Sequence, residues 1–123
     1  MVDGQPITTY RDLDVWQRSM ELVEAVYTLA RILPDEERFG LCQQIRRSVV
    51  SVPSNIAEGY GRKHRGDYVR HLSIANGSLK ELETQLIIAV RLGYVDREMT
   101  RPGWELAQDV GRMLNRLIAS LDL

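Results

Sequence analysis

From Tyr68 to Ala89 the side chains of Tyr68, Leu72, Ala75, Leu79, Leu82, Leu86 and Ala89 recur at alternating steps of four and three. These steps straddle the helical repeat of 3.6 residues, so one stripe of a long helix faces a neighbouring helix along its whole length. A half-buried strand would need strict alternation, and no segment of the chain offers it. The segment reads as a helix from about Gly66 to Leu92. Gly93 follows it as a stop, since glycine tolerates the left-handed backbone that ends many helices.

Three further segments carry the same rhythm. Leu13, Trp16, Met20, Val23, Tyr27 and Ala30 mark a first helix, with Asp12 as its cap and Pro34 beyond its end. Phe39, Cys42, Ile45, Val49, Val52 and Ile56 mark a second, from about Glu36 to Gly61. Pro53 lies inside it and withholds a donor from the Val49 carbonyl, which predicts a kink or a split. Leu106, Val110, Met113, Leu117 and Leu121 mark a fourth from about Asp96, with Pro102 as an alternative start. Four long helices with short links predict an all-α fold, an antiparallel up-down-up-down four-helix bundle with a kinked second helix. Residues 1–10 read as an N-terminal extension and 11–123 as the bundle domain, long enough to bury a core without disulfides or metals.

Composition narrows the setting. Cys42 is the single cysteine, so no intrachain disulfide forms, and a lone thiol fits a reducing cytosol. The first ten residues lack the basic start and apolar centre of a signal peptide. No apolar run approaches the ~20 residues of a membrane span. A cytoplasmic protein without membrane contact is expected. Net charge is −1, but seven Lys/Arg against two acids fall between Arg38 and Arg70, and nine against fifteen elsewhere. That asymmetry predicts a basic patch on an acidic body.

Two helices carry more apolar surface than a monomeric bundle uses. Val15, Leu22, Val26 and Leu29 widen the first helix's stripe well beyond the roughly 100° a core-facing helix needs. Leu86-Ile87-Ile88-Ala89-Val90 must point in all directions around the third. Self-association is the expected consequence, with Val15, Leu22, Val26, Leu29, Ile87 and Ile88 at the subunit contact. The face of the second helix opposite its core stripe holds Gln44, Arg47, Ser51, Ser54, Asn55 and Glu58, mostly small and polar. Such a face suits close helix approach and cross-helix hydrogen bonds, or else plain solvation. Arg46 and Arg47 are expected to pair with Glu58, Glu81 or Glu83, within the bundle or between subunits.

Certain strings then stand out together. Leu13-Asp14-Val15-Trp16-Gln17 opens the first helix. Gln44-Ile45-Arg46-Arg47-Ser48 leads into Ser51-Val52-Pro53-Ser54-Asn55-Ile56-Ala57-Glu58-Gly59. Ile74-Ala75-Asn76-Gly77-Ser78-Leu79-Lys80-Glu81-Leu82-Glu83-Thr84-Gln85-Leu86 and Gly93-Tyr94 follow. In this order they resemble the four helix bundle protein family, also called the 23S rRNA intervening-sequence protein or S23 family, over roughly Tyr10 to Leu121. The resemblance implies a small bacterial cytosolic protein without established enzymatic activity. It also implies kinship with the accessory protein of diversity-generating retroelements. That relative is a homopentamer whose basic surface meets nucleic acid and a reverse transcriptase. The present chain departs from it in charge, with a sequence pI near 6.1, which weighs against direct nucleic-acid binding.

Arg62, Lys63 and Arg65, with Arg70 nearby, form the candidate nucleic-acid surface at the link between helices two and three. Their charges would neutralise phosphates, and Tyr60 or Tyr68 would stack on bases. A solvated helix end explains the same cations, because they favour a helix C-terminus. His64, Asp67 and His71 have metal-ligand spacing but call for a ligand from another helix. No Glu-x-x-His pair of the di-iron type occurs. Cys42 reads as a small core residue. The residues therefore predict no catalytic group, metal or cofactor. They predict a non-catalytic homo-oligomer, a pentamer by the resemblance. Its partners would be itself and RNA, DNA or a nucleic-acid-processing protein. The alternative is a metal- or small-molecule-dependent enzyme or binding protein, which needs a polar pocket inside one bundle.

Overall fold

The computed structural model describes residues 6–121. Helices α1 (Asp14–Ala30), α2 (Leu41–Tyr60), α3 (Arg65–Arg91) and α4 (Arg97–Leu121) account for most of them, with 3-10 turns at Tyr10–Asp12 and Asp35–Glu37. There is no strand among the described residues. Each helix packs on its sequence neighbours, and α4 closes back onto α1. This is the up-down-up-down bundle. The α1–α2 and α3–α4 links share one end, where the Tyr94 hydroxyl donates to Glu37 Oε2 at 2.7 Å. The α2–α3 link lies at the other end. No helix among the described residues is long and apolar enough to cross a membrane.

The α3 stripe is buried as its spacing requires: Leu72, Ala75, Leu79, Leu82, Leu86 and Ala89 are at most 1% exposed, and Tyr68 packs at its margin. Gly93 ends the helix with φ of 77°, and the Tyr94 amide donates to the Ala89 carbonyl at 3.0 Å. In α2, Cys42, Ile45, Val49, Val52 and Ile56 line the interior. The helix runs through Pro53 without a split. It begins at Leu41, later than its apolar spacing predicts. Phe39, expected on the core stripe, stands in the link at 81% exposure beneath the Arg38 guanidinium. The reason is local: the Glu37 carboxylate accepts from the Leu41 amide at 3.0 Å and fixes the helix start there.

Helix α1 turns the opposite way from expectation. Leu22 and Val26 are fully buried, and Val15 and Leu29 nearly so. The four residues expected at a subunit contact are therefore core. Val15, Ser19, Leu22, Val26, Leu29 and Leu33 form the interior stripe, and the Ser19 hydroxyl is satisfied by the Trp16 carbonyl at 2.7 Å. Between two apolar faces, the bundle takes the one of compact aliphatic side chains. The bulkier Trp16, Met20 and Tyr27 are left outside or at the rim, and Val23 on the same side goes with them.

The N-terminal end departs from expectation too. Asp12 accepts from the Thr8 and Thr9 amides and closes the first 3-10 turn, leaving Leu13 as the α1 cap. The α4 start is the expected one: Asp96 caps the helix by accepting from the Met99 amide at 2.9 Å, and Pro102, the alternative start, sits inside it. Ile7 and Tyr10, assigned to the extension, pack against the core, with the Tyr10 ring edge-on to Trp16 at 5.4 Å. Residues 1–5 of that extension and residues 122–123 of the bundle domain lie outside the described residues.

Candidate functional site

Of the small polar face of α2, Ser51 and Asn55 meet α3, while Gln44, Arg47, Ser54 and Glu58 stay exposed. Ser48 is buried, and its hydroxyl lies 2.7 Å from Gln85 Oε1, while Gln85 Nε2 donates to Glu81 Oε1 at 3.1 Å. One turn on, the Ser51 and Ser78 hydroxyls are 2.8 Å apart. Asn55 Nδ2 donates back to the Ser51 carbonyl, and Asn55 Oδ1 lies 3.1 Å from His71 Nδ1. An amide oxygen only accepts, so the imidazole presents its proton there. Gly59 then brings the backbones together against His71 and Tyr68. These rungs are satisfied within one chain and hold the α2–α3 register. Asn55 joins this ladder through Ser51 and His71, and Glu81 enters it through Gln85 rather than through the arginine pair expected of it.

Within the chain, the expected arginine–acid pairs do not form among the described residues. Arg46 lays its guanidinium over the Tyr27 ring at 5.3 Å, and its Nε is buried without a partner. Arg47 is exposed and meets no acid among the described residues. Glu58 pairs instead with Arg62 at 3.0 Å, and Glu83 with Lys80 at 3.2 Å. The reason is helical geometry: residues three or four apart on one helix already face each other, and each acid has such a neighbour.

Arg62, Lys63, Arg65 and Arg70 are all exposed at the α2–α3 end. Among the described residues only Arg62 has an acidic partner. Tyr60 and Tyr68 flank the cluster but stand edge-on to each other, ring centroids 6.1 Å apart. Burial pushes the Tyr68 hydroxyl up to about 12. His64 and Asp67 are exposed while His71 turns into the seam, so the three do not converge. Cys42 is buried, its thiol 3.6 Å from the Ala30 carbonyl oxygen.

Two surface grooves complete the candidate sites. The first, about 330 Å³, runs between α1 and α2, walled by Trp16, Met20, Val23, Val50, Pro53 and Ala57, with Tyr10 at its edge. The second, about 560 Å³, lies between the end of α3 and the start of α4. Its floor is Ile87, Val90 and Trp104, and its rim carries Arg91, Arg97 and Arg101. Ile87 and Ile88 are 46% and 39% exposed, as expected for residues off the core seam. The first groove was obscured in the sequence because its residues also fit the core stripe of α1. The arginine cleft has only a faint signal, two arginines four apart ahead of a tryptophan.

A sequence model of the 23S rRNA-intervening sequence protein family matches residues 11–116. Among solved structures, the chain is similar to a protein of unknown function from the S23 ribosomal protein family of Bacteroides thetaiotaomicron VPI-5482. The two share 28% identity over 85% of this chain and 97% of that one, with a TM-score of 0.78. No curated protein matches. With nearly all of the bundle inside the matched region, the chain belongs to the 23S rRNA-intervening sequence protein family.

Proposed function

We propose that this protein is a non-catalytic cytosolic assembly protein that associates with copies of itself. The observation that carries this reading is the α1–α2 groove. Trp16, Met20, Val23 and Val50 form a contiguous apolar surface outside the bundle, with Met20 38% and Val50 40% exposed. Burying such a surface against a second copy gains roughly 25 cal/mol per Å². Ile74 and Ile88, 42% and 39% exposed on the outer side of α3, extend the apolar surplus. The buried polar side chains Ser19, Ser48, Gln85 and Thr100 include no acid and no imidazole. That supports a structural interior over a catalytic one.

Light scattering on the purified 14.1 kDa chain tests the reading. A mass several times larger is expected, five-fold if the ring is the one the family resemblance implies. A monomer that persists across concentrations would overturn it.

A second role is favoured by one observation, the exposed and largely unpaired cations Lys63, Arg65 and Arg70 at one end. In an assembly of parallel copies they form a ring of positive charge suited to RNA or DNA, or to an acidic partner protein.

A further inference from the structure

The α1–α2 link presents exposed acids beside an aromatic ring, and the α3–α4 cleft presents arginines around an apolar floor. The link carries Asp35 and Glu36, both exposed, and beyond them Phe39 at 81% exposure, with the Arg38 guanidinium 5.3 Å over its ring. An aromatic ring so fully presented to water on a folded surface is unusual, and such rings are enriched at interfaces. The cleft offers the counterpart: an apolar floor of Ile87, Val90 and Trp104 beneath a rim in which Arg91, Arg97 and Arg101 outnumber the one carboxylate, Glu105. Among the described residues Arg91 and Arg97 have no acidic partner, and Arg101 has the exposed Glu98.

Topology decides which copy supplies the ring. The helices form a closed square in which α1 and α2 make one side and α3 and α4 the opposite side. Phe39 does not line the cleft of its own chain. Both features nevertheless lie at the same end of the bundle, as the Tyr94–Glu37 hydrogen bond shows. Two copies standing side by side in parallel bring the link of one level with the cleft of the next.

We infer that the arginine cleft between α3 and α4 is the docking site for the Phe39 link of a second copy of this chain. Phe39 enters over Trp104 while Asp35 and Glu36 meet the rim arginines. This rests on the assembly reading above and adds its polarity. A contact between two different surfaces is head-to-tail, and repeated about an axis parallel to the helices it closes a ring. Charge complementarity fixes the register of the copies, and the buried aromatic supplies the anchor.

The test uses two variants of the full chain, Phe39→Ser for the link and Arg97→Glu/Arg101→Glu for the cleft. All three positions are exposed, so circular dichroism should show unchanged helix content. Each variant alone should dissociate at concentrations at least ten-fold above those at which wild type does. Mixed one to one they should form a heterodimer of twice the single-chain mass, because one intact link then meets one intact cleft. Arg62→Glu/Arg65→Glu, an equal charge change at the other end, should assemble as wild type does. Variants that assemble like wild type, or a mixture that stays at single-chain mass after both have dissociated, overturn the docking while leaving self-association standing. A monomeric wild type would sink the assembly reading first.

Discussion

A Cβ built on Gly59 of α2 would lie 2.7 Å from the Cβ of His71 on α3, closer than two such atoms approach. The same atom would meet the Tyr68 carbonyl oxygen at 3.2 Å. Neither contact is the free end of a flexible side chain, so relief requires the helices to separate. The hydrogen bonds from Ser48–Gln85 to Asn55–His71 depend on that approach, and they share one seam with Gly59.

Gly59→Ala sets two effects against each other. Alanine favours a helix over glycine by about 1 kcal/mol. Overpacking a tight contact costs about 1–3 kcal/mol. The glycine is near the last turn of α2, where propensity counts least, so the clash should win. The variant should lose about 1–2 kcal/mol in a urea titration. Equal or greater stability would show that the two backbones have room to part.

The two faces of α1 make opposite predictions. Leu22 has no exposed surface, and Leu22→Ala should cost about 2–5 kcal/mol by leaving a cavity. Met20 lies outside, so Met20→Asp should keep full helix content and lower the mass of the assembly. Ile88→Asp on α3 should behave like Met20→Asp. An unfolded Met20→Asp chain would mean that the outer face of α1 supports the bundle itself.

Why α3 could be read from its residues and α1 and α4 could not has a physical answer. In α3 every position of the stripe but the alanines is large and apolar, so spacing and burial agree. The α1 stripe steps 4, 3, 4, 3, 4 from Val15 to Leu33 only when Ser19 is admitted, and a serine does not announce itself as core. In α4 Thr100, Gly103, Ala107, Val110 and Leu114 are buried in heptad steps, with Gly111 beside them, and most of these are small. Gly103 packs against Val26, and Gly111 against Leu79. Hydrophobic size pointed instead to Leu106, Met113, Leu117 and Leu121, which are only partly buried. For the small polar face of α2 the sequence left close approach and solvation both open, and the structure divides it: Ser51 and Asn55 meet α3, and the other four positions are exposed. The arginine cleft is assembled across two helices, which no local spacing reports.

Acid should loosen the end of the bundle that holds Glu37. Its carboxylate accepts from the Leu41 amide and then from the Tyr94 hydroxyl, and these hold it below its ordinary 4.5. A lowered folded-state value means the contribution is present above 4.5 and lost as pH falls through the folded value. Glu37→Gln should therefore be less stable than wild type at neutral pH, and the gap should close as pH falls below 4.5. A gap independent of pH would assign the effect to packing rather than to the charge.

Nucleic-acid contact at the other end can be decided by salt. If Arg62, Lys63, Arg65 and Arg70 neutralise phosphates, affinity must fall as salt rises, because each contact releases counterion. The slope of log K against log salt should be about −0.9 per contact on duplex DNA and about −0.7 on single strands. Arg62 is already paired with Glu58 at 3.0 Å, so it contributes less than Arg65 or Arg70. Glu58→Gln releases it and should strengthen binding and steepen the slope. Arg62→Glu/Arg65→Glu should abolish binding with the oligomeric mass unchanged. The acidic remainder of the chain opposes all of this, so binding should be weak near physiological salt and plain only at low salt. Wild type that binds neither RNA nor duplex DNA at low salt would leave the basic end to a protein partner with an acidic surface.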